Sequence, residues 1–137
     1  MNFAHFQGLY DGLRTDPVIV CNIERELADA IGARVTRVLL SAETLAKQKL
    51  RHPDLVPDDY TALRPAILFG ECRRDGPNQM VILFVDRHRL GYGVRAYLKA
   101  TADGRKIYAV SFCKMNERKY RRELAKPLQV IRNHGQI

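Results

Sequence analysis

The chain has 137 residues and a formal net charge of +8 at pH 7, and 46% of its residues are hydrophobic. This composition is typical of one globular domain with a core of its own. No apolar run approaches the roughly 18–20 residues of a membrane span, and the first ten residues lack the pattern of a secretory signal. Its three cysteines lie far apart without a CxxC pair, which argues against a disulfide framework and predicts a reducing, cytoplasmic location.

The first half of the chain alternates between strand and helix patterns. Short β-branched runs indicate strands, and the spacing of apolar residues between them indicates helices. The predicted elements, in order, are a lead-in segment (1–16, weakly ordered or a short helix), a strand (17–23), a helix (24–31), a strand (35–40), a helix that Ser41 caps and Pro53 ends, and a helix that begins at Pro57.

From residue 71 the pattern changes to four strands that predict an antiparallel meander. A basic helix that Asn116 caps and Pro127 ends follows them. The predicted ranges are Glu71–Asp75, Gln79–Asp86, Tyr92–Thr101 and Lys106–Met115 for the strands, and Glu117–Lys126 for the helix. The sequence therefore predicts one α+β domain over residues 17–126, followed by a C-terminal tail at 127–137.

A stripe of polar residues follows the last predicted hairpin. Its turn, Ala102-Asp103-Gly104, suits a three-residue loop with Gly104 in the left-handed conformation. The resulting register places Arg95 opposite Ser111. It puts Arg95, Lys99 and Ser111 on one face, and Tyr108, Val110 and Phe112 on the core side. Two cations and a hydroxyl on a rigid sheet suit a phosphodiester group, although ordinary cross-strand pairs on a solvated face have the same pattern.

The excess positive charge lies on this hairpin and the helix that follows it. Residues 87–126 contain 12 Lys and Arg against three acidic residues, whereas the rest of the chain contains 11 against 12. Such a concentrated field favours a polyanion such as nucleic acid, and a solvated basic surface is the alternative. Arg118, in the first turn of the predicted helix, is the preferred phosphate contact of this cluster.

His52 is the candidate proton carrier, because an imidazole titrates near neutral pH. It stands between the end of a predicted helix and Pro53. The alternative is a helix-end histidine that interacts with the last carbonyl groups or with Asp54. The histidines lack metal-ligand spacing, and the chain contains neither a glycine-rich phosphate loop nor a nucleophile elbow. We therefore expect no metal and no cofactor.

Several segments of the chain occur together in one order. They are Pro17-Val-Ile-Val20, Val38-Leu-Leu-Ser-Ala-Glu-Thr-Leu45, Arg51-His-Pro-Asp-Leu55 with Tyr60, Lys99-Ala-Thr-Ala-Asp-Gly104 after Arg95, Ser111-Phe112, and Glu117-Arg118 with Arg121-Arg122. The set resembles the phage-associated nuclease domains of the barnase–EndoU–colicin–RelE class. The resemblance implies a barnase/RelE-like fold, with N-terminal helices packed on a four-stranded antiparallel sheet and an additional C-terminal helix.

The resemblance also implies residue roles. It places the catalytic residues at His52, Lys99 and Ser111, and phosphate contacts at Arg95 and Arg118. Two further residues of the basic region, Thr101 and Lys114, are additional candidates for phosphate binding.

The activity that the resemblance implies is a metal-independent endoribonuclease, associated with phages or toxins. The ribose 2′-hydroxyl would attack the adjacent phosphodiester and leave a 2′,3′-cyclic phosphate. His52 would be the acid or base, Lys99 and Arg95 would stabilise the pentavalent phosphate with help from Arg118, and Ser111 would orient a phosphate oxygen. The expected partners are RNA and an inhibitor or immunity protein. The expected location is the host cytoplasm, and in one version of this hypothesis the virion delivers the protein there.

One position departs from the family pattern. A histidine often follows the Ser-Phe pair in that family, and this chain has Cys113 there. A non-catalytic nucleic-acid-binding module is therefore the alternative function, and a virion-associated domain that touches packaged DNA is another.

Overall fold

The computed structural model describes residues 1–86 and 93–135. Five α-helices, one 3-10 helix and seven strands make up this part of the chain. In chain order they are α1 (Phe3–Tyr10), β1 (Val18–Asn22), α2 (Arg25–Ala30), β2 (Arg37–Leu40), α3 (Ala42–Arg51), the 3-10 helix (Pro57–Ala62), α4 (Leu63–Phe69), β3 (Glu71–Arg74), β4 (Gln79–Val85), β5 (Gly93–Ala100), β6 (Ile107–Met115), α5 (Glu117–Leu124) and β7 (Val130–Arg132). Two predicted features, Tyr92 as a strand start and the histidine at position 88, lie outside the described residues.

All seven strands belong to one sheet with the order β1-β2-β6-β5-β4-β3-β7. The predicted meander β3 to β6 is present and antiparallel. The expectation of a four-stranded antiparallel sheet is nevertheless wrong, because β1 and β2 extend the sheet at one edge and β7 extends it at the other. The sheet is mixed, since β2 runs parallel to β6, with Val38 beside Ile107. The fold is α+β.

The predicted lead-in segment (1–16) and the predicted C-terminal tail (127–137) both contribute to the structure of the predicted domain (17–126). In α1, Phe6 is fully buried in the same core as the sheet. Near the other end of the chain, β7 pairs with β3. Its Arg132 donates hydrogen bonds of 2.6 Å to the carbonyl of Ile67 and 2.8 Å to that of Gly70, at the carboxyl end of α4.

Helices cover the two faces of the sheet unequally. Helices α1 to α4 and the 3-10 helix pack on one face and enclose the main core. On the second face, α5 covers a smaller apolar cluster in which Tyr120 packs with buried side chains of β4 and β6, namely Val81, Leu83, Cys113 and Met115. Beyond this cluster the second face presents Lys99, Tyr108 and Ser111, together with Tyr97, which is half-buried and packs against the cluster. We call these four residues the open face.

The register of the β5–β6 hairpin differs from the predicted one. Gly104 has the predicted left-handed conformation, with φ of 73°. The turn is one residue longer, because the Thr101 hydroxyl donates to Asp103 (2.7 Å) and accepts from the backbone N–H of Lys106 (3.1 Å). Further along, Val110 has no partner in β5 and forms a bulge.

The bulge and the longer turn change which residues face one another. Ser111 lies opposite Tyr97 rather than Arg95, which lies opposite Cys113. Tyr108 pairs with Lys99 on the second face, so its predicted core position is wrong, as is that of the exposed Val110. Phe112 is in the core as predicted. Arg95, Lys99 and Ser111 do share one face, as the sequence predicts.

Arg73 of β3 fixes α5 against the second face. Its buried guanidinium donates to the carbonyl groups of Leu124 (2.9 Å) and Lys126 (3.1 Å) and lies 2.7 Å from the carboxylate of Glu71. These are carbonyl groups at the carboxyl end of α5, where the helix leaves acceptors unpaired. The side chain therefore holds the helix end that would otherwise separate from the sheet.

We predict that Arg73→Leu lowers the free energy of unfolding by about 2–4 kcal/mol, because it removes charged hydrogen bonds and leaves Glu71 without its partner. Urea denaturation measures this. The neighbouring Arg74→Leu is the matched control, since Arg74 is exposed and its change should cost less than about 0.5 kcal/mol. Equal losses in the two variants would contradict the role of Arg73.

Candidate functional site

His52 stands at the carboxyl end of α3, where the sequence predicts it. Its backbone N–H donates to the carbonyl of Gln48 (2.8 Å), and its own carbonyl accepts from Leu55 (3.1 Å) in the turn that follows. The side chain of Gln48 donates to the backbone carbonyl of Phe112 on β6. This buried amide joins α3 to the edge of β6, so the histidine at the helix end is held beside the sheet.

The surroundings of His52 favour its neutral form. Burial lowers the pKa of His52 below its ordinary value of about 6.5, and the positive charges of Lys119, Arg95 and Arg51 lower it further, whereas Asp54 acts in the opposite direction. A neutral imidazole can accept a proton near pH 7. Between the roles of acid and base that the sequence leaves open, these electrostatics favour the base.

Lys114 anchors the loop that follows His52. Its ammonium lies 3.3 Å from the carboxylate of Asp59 and 4.0 Å from that of Asp54, and it donates to the backbone carbonyl of Asp54 (3.3 Å). Asp59 is buried and also accepts from the N–H of Val56 (2.9 Å). The described partners of Lys114 are thus two carboxylates and one backbone carbonyl, and its phosphate contact stays a prediction.

Arg95 is turned toward α5. Its Nη1 lies 2.6 Å from Glu123, whose other oxygen lies 2.9 Å from Lys126. Burial would raise the pKa of Glu123, but the hydrogen bond from Lys126 and the charge of Arg95 hold it below its ordinary value. Within residues 1–86 and 93–135, the buried Nε of Arg95 has no hydrogen-bond partner. The carboxylate therefore neutralises part of the charge that the sequence assigns to phosphate.

The remaining predicted residues occupy separate positions. Lys99 is exposed on the open face, and Ser111 is half-buried two residues along the same face, opposite Tyr97. Thr101 is engaged in the β5–β6 turn, and Arg118 is exposed in the first turn of α5.

The predicted catalytic and phosphate-binding residues do not form one compact cluster. Lys99 and Arg95 are four residues apart on one strand, a Cα separation of about 13 Å at roughly 3.3 Å per residue. Among the described contacts, none within hydrogen-bond distance joins the imidazole of His52 to Lys99 or Ser111. The candidate site is therefore an extended one, with His52 and the start of α5 at one end and Lys99 at the other.

Cys113 is buried on the second face of the sheet. The side chain is 2% exposed and packs under α5 in the cluster that contains Tyr120. A histidine at this position would be enclosed by α5. Of the other histidines described, His5 is exposed on α1 and His134 stacks on Phe84 at a centroid distance of 5.5 Å. Among the histidines that the structure describes, His52 stays the candidate proton carrier.

Comparison with family models, with curated proteins and with solved structures finds no match for this chain. In the described ranges, no three His, Cys, Asp or Glu side chains are grouped as ligands of a metal ion. None of the helices that the structure describes combines the length and the apolar character needed to cross a membrane.

We predict that Lys114→Met lowers the free energy of unfolding by about 1–2 kcal/mol, because Asp59 is left buried without its cation. Lys99→Met is the matched control on the neighbouring strand, and its exposed position predicts a loss below about 0.5 kcal/mol. Thermal or urea denaturation compares the two. A larger loss in Lys99→Met than in Lys114→Met would refute the role of Lys114 as the stabilising partner of buried Asp59.

Proposed function

We propose that the protein is a metal-independent endoribonuclease that cuts single-stranded RNA. The observation that carries the proposal is His52, a histidine held at a helix end between cations and beside an exposed polar sheet face. Its lowered pKa suits a general base, and the nearby positive charges suit a phosphodiester that gains charge in the transition state.

In the proposed reaction, His52 transfers the proton and the first turn of α5 stabilises the charge. His52 takes the proton of the ribose 2′-hydroxyl, the 2′-oxygen forms a bond to phosphorus, and the bond to the 5′-oxygen breaks. The leaving oxygen takes a proton from solvent, and His52 returns its proton to solvent. Lys119 and Arg118, in the first turn of α5, stabilise the negative charge together with the amino end of the helix.

The open face supports RNA as the substrate. Tyr97 and Tyr108 lie on neighbouring strands and are half-buried, with Lys99 directly opposite Tyr108. Aromatic rings beside cations bind unpaired bases and their phosphates. In this arrangement, Lys99 and Ser111 bind phosphates next to the one that is cut rather than the reacting phosphate itself. A host-cell RNA in the cytoplasm and an inhibitor or immunity protein belong to the same proposal.

A second candidate function is nucleic-acid binding without turnover. Two observations favour it: Cys113 is buried where a relative would carry a histidine, and Arg95 is paired with Glu123. This candidate needs only the basic surface, and it predicts salt-dependent binding without cleavage.

We expect cleavage of 5′-labelled RNA in EDTA, with products that end in a 2′,3′-cyclic phosphate. His52→Ala should reduce the rate by about 10²-fold or more, the usual loss when a general base is removed. His5→Ala is the matched control, because His5 is exposed on α1. Cleavage that appears only after magnesium is added would exclude the metal-free mechanism, and full activity of His52→Ala would exclude this base.

The pH dependence of the rate tests the electrostatics around His52. A base with a lowered pKa places the acidic limb of kcat/KM below pH 6.5. Lys119→Met should move that limb to higher pH, because removing a nearby positive charge makes the protonated imidazole more favourable. Lys47→Met, on the exposed side of α3, is the control. A shift of the limb to lower pH in Lys119→Met would contradict the proposed environment.

A further inference from the structure

A second cationic site lies at the other end of β6 from His52. It is a groove of about 520 Å³ where the start of β2 meets the β5–β6 turn. Its charged lining consists of five cations, Arg25, Arg34, Arg37, Arg105 and Lys106. We call this surface the basic groove.

Two distant parts of the chain are locked together to form the basic groove. The backbone N–H of Arg34 donates to the carbonyl of Gly104 (2.7 Å), and the guanidinium of Arg25 donates to the carbonyl of Arg34 (3.2 Å). Gly104 has a positive φ, and a Cβ there would lie 2.6 Å from the carbonyl oxygen of Gly32. This close approach fixes the turn against the loop before β2, so the backbone segments that carry these cations are held side by side.

The charges of the basic groove are largely uncompensated. Of its five cations, only Arg105 has a carboxylate within ion-pair distance among the described residues, namely Asp103 at 3.9 Å, and both side chains are exposed. Like charges held close together repel one another, and an anion that enters relieves the repulsion. The groove therefore has the electrostatics of a site for phosphate groups.

The basic groove continues the open face. Leu39, in its lining, pairs with Tyr108, and Arg37 is two residues from Leu39 on the same side of β2. Lys106, which immediately precedes β6, and Lys114 are eight positions apart, or about 26 Å in an extended strand. Lys99 and Tyr97 lie between these two ends on the neighbouring strand. A single extended polymer is the ligand whose phosphates can occupy both ends.

We propose that the basic groove binds the sugar-phosphate backbone of single-stranded RNA several nucleotides away from the bond that His52 cuts. The identity of the polyanion rests on the proposed function, whereas the presence of an anion site rests on the groove alone. The groove then determines how long a substrate must be for efficient cleavage. A dinucleotide occupies only the His52 end, and a longer strand occupies both.

The experiment compares the triple variant Arg34→Gln, Arg37→Gln, Lys106→Gln with the triple control Lys47→Gln, Arg64→Gln, Arg74→Gln. Both variants lose three positive charges, and the control residues are exposed and lie outside the groove. For each we measure kcat/KM on a single-stranded RNA of about 16 nucleotides, the upper end of the usual site-size range, and on a dinucleotide. We expect the ratio of these two values to fall at least tenfold in the groove variant, mainly through KM, and by less than twofold in the control.

A binding measurement separates this proposal from the proposed catalysis. Fluorescence anisotropy of the same RNA is followed against salt concentration in the His52→Ala background, with and without each triple variant. Loss of three phosphate contacts should reduce the slope of log K against log salt by about 2, since each contact to a single strand contributes roughly 0.7. If neither the wild type nor any variant cleaves RNA, but RNA binding depends on the basic groove, the catalytic proposal fails and the groove proposal stands.

Three results would overturn the groove proposal. They are equal weakening of RNA binding by the groove and control triples, an unchanged ratio between long and short substrates, and tighter binding of duplex DNA than of single-stranded RNA. The single variant Arg37→Gln guards against a folding defect in the triple. In this single variant the ratio of kcat/KM on the long RNA to that on the dinucleotide should fall about threefold. Circular dichroism of each variant should match that of the wild type.

Discussion

The guanidinium of Arg73 determines which part of the second sheet face is available. It fixes the carboxyl end of α5, and Tyr120 of that helix packs over the apolar residues at one end of β4 and β6. A single short helix cannot cover a sheet of seven strands, and in the described part of the chain the open face is half-buried to exposed. The open face carries two tyrosines, a serine and a lysine, which tolerate water and can also bind a polyanion. The candidate interface is thus what α5 leaves uncovered.

Local signals in the sequence predict the elements well, and the pairing of strands less well. Ser41 and Asn116 cap α3 and α5 as expected, because each side chain accepts a hydrogen bond from the N–H three residues later. The parallel pairing of β2 with β6 joins residues almost seventy positions apart, and no local pattern encodes it. The register of the hairpin differs from the predicted one for a local reason: the side chains of Thr101 and Asp103 lengthen its turn, and the bulge at Val110 shifts the strand beyond it.

The same contrast applies to the site. The position of His52 before Pro53 is visible in the sequence, but its electrostatic environment depends on α5, which is more than sixty residues away. Gln48 was missed, because a glutamine on an amphipathic helix is normally assigned to the solvent side. The cations of the basic groove were missed because three of them, Arg25, Arg34 and Arg37, come from the part of the chain whose charges nearly balance. A count along the chain hides charges that folding brings together.

The bulge at Val110 has a consequence for how this chain can change in evolution. Upstream of it, Ile107 and Ala109 point into the main core, and downstream Phe112 does so; the extra residue reconciles these two phases. Deleting Val110 itself would join the two phases into one regular ladder, with Ala109 still opposite Leu98 and Ser111 still opposite Tyr97, so Phe112 would stay in the main core and Cys113 under α5. Inserting one residue into the regularly paired part of the strand, with no second bulge to absorb it, would instead exchange the faces of everything beyond it. We therefore expect this strand to tolerate the loss of its bulge residue and to reject a one-residue insertion.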